Sequence, residues 1–123
     1  PWAANRARYD RTTRFPIGTI VTARREIART SPAFPRQIYD MFLEAKTIAL
    51  RSLMNLGQVA VMDAFLHESV EQSFSTLGSD PWPYGFKSCW ADIEVFMEFM
   101  LEDGLINRKL SPAEVFHPAL HDI

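Results

Sequence analysis

Four groups of residues in this chain of 123 carry side chains able to bind, protonate or attack a small molecule. Asp63, His67 and Glu71 fall at steps of four, and His67-Glu68 resembles the opening of a zinc-binding helix. A zinc protease helix needs a second histidine where Glu71 stands, so that chemistry is not supported, and a charged outer helix face is the plainer reading. His117 and His121 are also four apart, with Asp122 adjacent, but Pro118 lies between them in a terminus expected to fray. No metal is assigned. Cys89 follows a helix-cap position, where the helix dipole would lower a thiol pKa, yet no histidine neighbours it in sequence. It reads as a small, partly buried side chain.

The fourth group is different in kind. Gly78 to Lys87 holds two prolines beyond Asp80, glycines at both ends, and Trp82, Tyr84 and Phe86. Trp82, Pro83 and Tyr84 restrict their own backbone and present flat surfaces and a phenol, suited either to plugging a core or to touching a ligand.

Several elements must position these groups. Ser31-Pro32 offers a cap and a first-turn proline, and Phe34, Ile38, Met41, Phe42, Ala45, Ile48, Ala49 and Leu53 then recur at helical spacing, predicting a helix over 33–56. After Gly57, Val59, Met62, Phe65, Leu66, Val70 and Phe74 predict a second helix ending near Gly78, packed antiparallel on the first. The aromatic turn cannot be helical. Ser88 is expected to cap a third helix with Ile93, Phe96, Met97, Met100 and Leu101 on its face, stopped by Gly104 in the left-handed region with Leu105 closing behind it. Ser111-Pro112-Ala113-Glu114 reads as a capping box opening a short helix through Phe116.

Near the front, Phe15 to Ala23 is rich in β-branched residues and reads as the one strand, its pairing partners lying on another segment, another copy or a missing part of a parent chain. Residues 1–14 read as an exposed, arginine-rich lead-in. The fold class is mainly α with one strand, and residues 1–123 form a single segment. Because Pro1-Trp2-Ala3-Ala4-Asn5 shows neither an initiator methionine nor a signal-peptide layout, the expectation is a piece of a larger protein.

With 13 basic and 15 acidic residues, the formal charge is -2. That gives no electrostatic reason for phosphate-backbone binding, and no nucleic-acid partner is expected. No stretch has the length of a membrane span, so no membrane insertion is expected. The single cysteine cannot form an internal disulfide.

Taken in order, Phe15-Pro16-Ile17, Arg24-Arg25-Glu26, Phe42-Leu43-Glu44-Ala45-Lys46, the turn Gly78-Ser79-Asp80-Pro81-Trp82-Pro83-Tyr84-Gly85, Asp103-Gly104-Leu105-Ile106 and Leu110 to Phe116 resemble the C-terminal third of the 4,5-dihydroxyphthalate decarboxylase family. The resemblance runs from about Tyr9 to Phe116, and the Asp-Pro-Trp-Pro-Tyr-Gly turn is its most specific element. It implies the C-terminal part of an α/β two-lobed fold of the periplasmic-binding-protein type 2 kind, with a ligand cleft between lobes. It implies a decarboxylase-like protein for a hydroxylated aromatic carboxylate, or alternatively a non-catalytic solute-binding protein of an ABC transporter. The first would be cytoplasmic and the second periplasmic. No cofactor is required, because the electron pair left by carbon dioxide can spread into a phenol-bearing ring. The expected partners are a small aromatic carboxylate and the remainder of the parent chain or a second copy.

The family resemblance also marks a departure. Where relatives tend to carry Met-His after Phe-Pro-Ile, this chain has Gly18-Thr19, so a hydroxyl replaces an imidazole. Thr12 agrees with the family pattern, while Thr13 and Arg14 replace a Gly-Ile pair. Thr19, Arg14, Tyr84 and Trp82 are the ligand-binding candidates; no residue is assigned as catalytic.

Overall fold

A computed structural model describes residues 2–13, 17–55 and 62–123. Among them the chain is mainly helical, with α1 at Trp2–Thr12, α2 at Arg25–Thr30, α3 at Phe34–Met54, α4 at Leu66–Leu77, α5 at Phe86–Glu102, α6 at Pro112–Val115 and a 3-10 turn at Pro118–Leu120. None of these helices is long and apolar enough to cross a membrane.

The expected strand does not form. Phe15 and Pro16 lie outside the described residues, and residues 17–24 run without helix or ladder, exposed throughout. β-branched residues favour a pleated conformation only where a neighbour accepts and donates the ladder hydrogen bonds, and no described segment does so. A helix unforeseen from the periodicity, α2, follows directly, with Glu26 in its first turn and Arg29 in its last, both favourable to the helix dipole.

The long helix appears as α3, which begins at Phe34, one residue after the expected Ala33. Ala33 is already in the helical region at the N-cap, and the first-turn proline is Pro35 instead of Pro32. Leu56 and Val59 lie outside the described residues. Met62 to Phe65 are not helical, and α4 begins at Leu66, where Asp63 Oδ1 accepts the Phe65 N–H at 2.9 Å. Asp63 therefore stands ahead of the helix that carries His67 and Glu71. The expected antiparallel packing of α3 on α4 is not among the main helix contacts, which join α3 to the terminal 3-10 turn, α5 to α6 and α2 to α3.

The lead-in is helical and tethered, since Arg6 donates to Asp10 at 3.0 Å and to Thr76 Oγ1 at the end of α4 at 2.6 Å. The helix α5 starts three residues earlier than a Ser88 cap implied. Gly85, at φ 120° and ψ 152°, is its N-cap, and the Cys89 N–H donates to the Gly85 carbonyl at 3.1 Å.

At its far end, Gly104 adopts φ 71°, its N–H reaches the Leu101 carbonyl and the Leu105 N–H reaches that of Met100. This is the left-handed stop the sequence implied, with both Schellman bonds made. Leu105 itself does not close over the helix, being largely exposed. The capping box forms as well, the Glu114 carboxylate accepting the Ser111 N–H at 2.9 Å.

Burial is confined to the C-terminal part. Phe86, Ile93 and Met97 of α5, with Pro81 of the turn before it and Pro112, make the core. Around Phe86 stand Trp90 edge-on at 5.1 Å, Phe116 at 5.9 Å and the His121 ring stacked at 4.5 Å. The terminus thus does not fray, because the 3-10 turn delivers His121 onto the core and Ile123 onto the start of α5.

Candidate functional site

The aromatic turn, residues 78–85, is held from three sides. It leaves α4 at Gly78, whose φ of 84° is open to glycine and costly for other residues. Lys46, on the inner side of α3, reaches both oxygens of Asp80, at 2.6 and 2.8 Å. Its side chain is only 9% exposed. The same ammonium lies 4.6 Å from the centre of the Tyr84 ring, so one cation holds the acidic and the aromatic residue of the turn at once.

The third side is the chain's own C-terminal segment. The Lys87 N–H donates to the Ile123 carbonyl at 2.7 Å. A Cβ placed on Gly85 would come within 3.2 Å of the Ile123 carbonyl carbon and 3.5 Å of Tyr39 Oη, so only glycine combines this backbone angle with this close approach.

Cys89 Sγ faces the Pro83 carbonyl at 3.4 Å. Burial pushes its thiol pKa up, Asp92 and Asp80 push the same way, and Lys46 opposes them. The dipole effect expected at a helix start is overridden, and the thiol is protonated and poorly nucleophilic at neutral pH.

Trp82 and Tyr84 are 45% and 41% exposed, their faces open to solvent while the backbone beneath them is fixed. Of the other ligand-binding candidates, Thr19 is exposed on the irregular segment, with no described hydrogen bond joining it to the turn, and Arg14 lies outside the described residues. The structure thus brings together Trp82 and Tyr84. It adds Lys46, Asp80, Tyr39 and Gly85, which sequence reasoning missed. The one available signal was a lysine seven residues after Tyr39, set against the edge of the apolar stripe beside Phe42 and Ala49; its partner is 34 positions distant.

The histidine groups do not assemble. The His67 and Glu71 side chains pair along α4 at 3.3 Å. His117 Nδ1 accepts the Ala119 N–H at 3.2 Å, whereas His121 Nε2 lies 3.0 Å from the Phe116 carbonyl. Among the described residues, no group of three or more His, Cys, Asp or Glu could hold a metal ion.

A separate open cleft of about 750 Å³ runs between the end of α3 and α4, with Leu53, Met54, Val70 and Phe74 on its walls and His67, Glu68 and Glu71 at its rim. Its carboxylates make it a poor host for an anion. The turn, with the Tyr84 ring against the shielded Lys46 ammonium and the Trp82 ring open to solvent, is better suited to a planar ligand.

No family model matches the chain. Over 111 residues it is 31% identical to a 4,5-dihydroxyphthalate decarboxylase of Comamonas testosteroni, an alignment covering 90% of this chain and 34% of that protein. The chain therefore spans about a third of the length of the curated relative to which it is related.

Proposed function

We propose that the chain belongs to a decarboxylase-like protein acting on a hydroxylated aromatic carboxylate, and that the 78–85 turn lines its ligand cleft. The supporting observation is the likeness to a decarboxylase across 90% of the chain. In this reading the rest of the cleft comes from sequence beyond these 123 residues, in a two-lobed fold of the periplasmic-binding-protein type 2 kind.

The chemistry asks for three things: a carboxylate turned out of the ring plane, a ring that accepts the electron pair as carbon dioxide leaves, and a proton for the resulting carbanion. Trp82 and Tyr84 supply flat faces against which a ring can be oriented. Lys46 is closed on Asp80 and the Cys89 thiol is held protonated, so the Tyr84 phenol is the polar group the turn offers at its open side. Arg14 and Thr19 are the candidates for the carboxylate and a ring hydroxyl.

The test is carbon dioxide release from 4,5-dihydroxyphthalate by a full-length protein carrying this segment, alongside Tyr84→Phe and Trp82→Ala. Release that falls by about tenfold or more in each variant is expected, as for loss of one positioning or proton-bearing group. Release unchanged in both removes the turn from the cleft.

A second reading is favoured by Thr19, which stands where the family resemblance expects an imidazole. Here the protein is a non-catalytic solute receptor for a small anion or aromatic compound. Tight binding of the same compound without carbon dioxide release selects it.

A further inference from the structure

The long helix α3 turns its apolar stripe outward. Ile38, Met41, Phe42, Ala45, Ile48 and Ala49 recur at three- and four-residue steps and define one face. Met41 is 64% exposed, Ile48 59% and Phe42 44%. The flank beside Phe42 and Ala49, through Tyr39 and Lys46, is the one that meets the aromatic turn.

The accessible surface of the whole chain is 9337 Å². A compact monomer of 14.1 kDa exposes about 6,700 Å² by the scaling of surface with mass. The excess, about 2,600 Å² over the whole chain, leaves room for the roughly 800 Å² that a standard stable interface removes from each partner.

Charge selects what covers this face. Glu44 and Arg51 lie seven residues apart, hence on the same flank of the stripe and about 10 Å apart along the axis. Neither is in an ion pair with a described residue. When two copies of one helix pack antiparallel about a two-fold axis, like flanks meet with their directions reversed. Glu44 then meets Arg51 of the partner subunit, and Arg51 meets Glu44 of the partner subunit, so a single flank supplies two symmetric ion pairs. Ala45 and Ala49 lie between them and let the helix backbones approach closely.

We propose that the exposed face of α3 is a homodimer interface, formed by antiparallel packing of α3 on α3 of a second copy, with reciprocal Glu44–Arg51 pairs setting the register. The proposal uses neither the aromatic turn nor a ligand, and it requires that the further sequence of the decarboxylase reading leave this face uncovered.

Sedimentation of the chain over a wide concentration range tests it. A monomer–dimer equilibrium is expected, abolished by Ile48→Glu. Glu44→Arg is expected to raise the dimer Kd by about tenfold through two like-charge contacts, and so is Arg51→Glu. The double variant Glu44→Arg with Arg51→Glu restores the pairs in reverse and returns the Kd to near its starting value. Helical circular dichroism unchanged across the set shows that the variants fold, and the rescue is a readout that misfolding cannot imitate. A chain monomeric at every concentration overturns the proposal, as does a dimer indifferent to these substitutions. A longer protein carrying the segment that is monomeric and shields Met41 from oxidation also overturns it, the face then being covered from within.

Discussion

In residues 81–123 one line of α5, through Phe86, Ile93 and Met97, is buried together with Pro112 of α6, although Phe96, Phe99 and Val115 stay exposed, whereas among the described residues of 2–77 no apolar side chain is buried. Both regions carry amphipathic helices, and α3 is longer and more regularly striped than α5. What separates them is chain reversal. Gly85, Gly104 and the Ser111 capping box each turn the backbone at a fixed angle, so that α6 and the 3-10 turn fall back onto α5. Among the described residues of 2–77 no positive-φ glycine and no capping box turns a helix back in this way, and the α3 stripe is exposed at Met41 and Ile48. An apolar stripe says that a helix must be covered; the turns decide by what.

The largest effect that would break this contrast is a core truncation. Ile93→Ala, at a position 3% exposed, is expected to lower unfolding stability by about 2–5 kcal/mol in urea titrations followed by tryptophan fluorescence. Met62→Ala, at a fully exposed position, is expected to change it by less than about 0.5 kcal/mol. Comparable losses at the two sites would mean that the two regions share one core.

Gly85→Ala sharpens the role of reversal. The new methyl meets the Ile123 carbonyl and the backbone is held at φ 120°, so a loss of about 1–3 kcal/mol is expected, with faster amide exchange at the start of α5. A neutral result would show that the turn holds without this contact.

Lys46→Met reaches across the two regions. It keeps the buried stem but removes the contacts to Asp80 and Tyr84. Asp80 is half exposed and the pair is screened accordingly, so the expected loss is about 1 kcal/mol, visible as increased mobility of the turn amides.

The smallest effect concerns acid. The Glu114 carboxyl is lowered by its hydrogen bond to the Arg108 guanidinium and by the Ser111 N–H, and that of Glu98 by Lys109. A lowered carboxyl pKa contributes stability that is present above its unfolded value and lost as pH falls through the folded one. The C-terminal region should therefore lose a little stability on acidification, less so in high salt and in Glu114→Gln. Acid sensitivity unchanged in Glu114→Gln would count against this assignment.

Much of the punctuation was legible in sequence. Gly104 and the Ser111-Pro112-Ala113-Glu114 box act through a few neighbouring residues, and local chemistry specifies them fully. The α3 stripe was legible as a helix face, though not as an uncovered one, because covering depends on residues far along the chain. The strand over Phe15 to Ala23 was inferred from propensity, which cannot supply pairing partners. At the aromatic turn, Trp82 and Tyr84 announced themselves by type, whereas Lys46 did not. A lysine within a long helix looks like any solvated cation until the fold brings Asp80 and Tyr84 to it.

The bond from the Lys87 amide to the Ile123 carbonyl latches together two points remote in sequence. Everything between them is enclosed in one loop, closed beside the stacked rings of His121 and Phe86. Deuterium uptake at that single amide then reports the opening of the whole enclosed stretch as a cooperative unit, and not the fraying of one helix end.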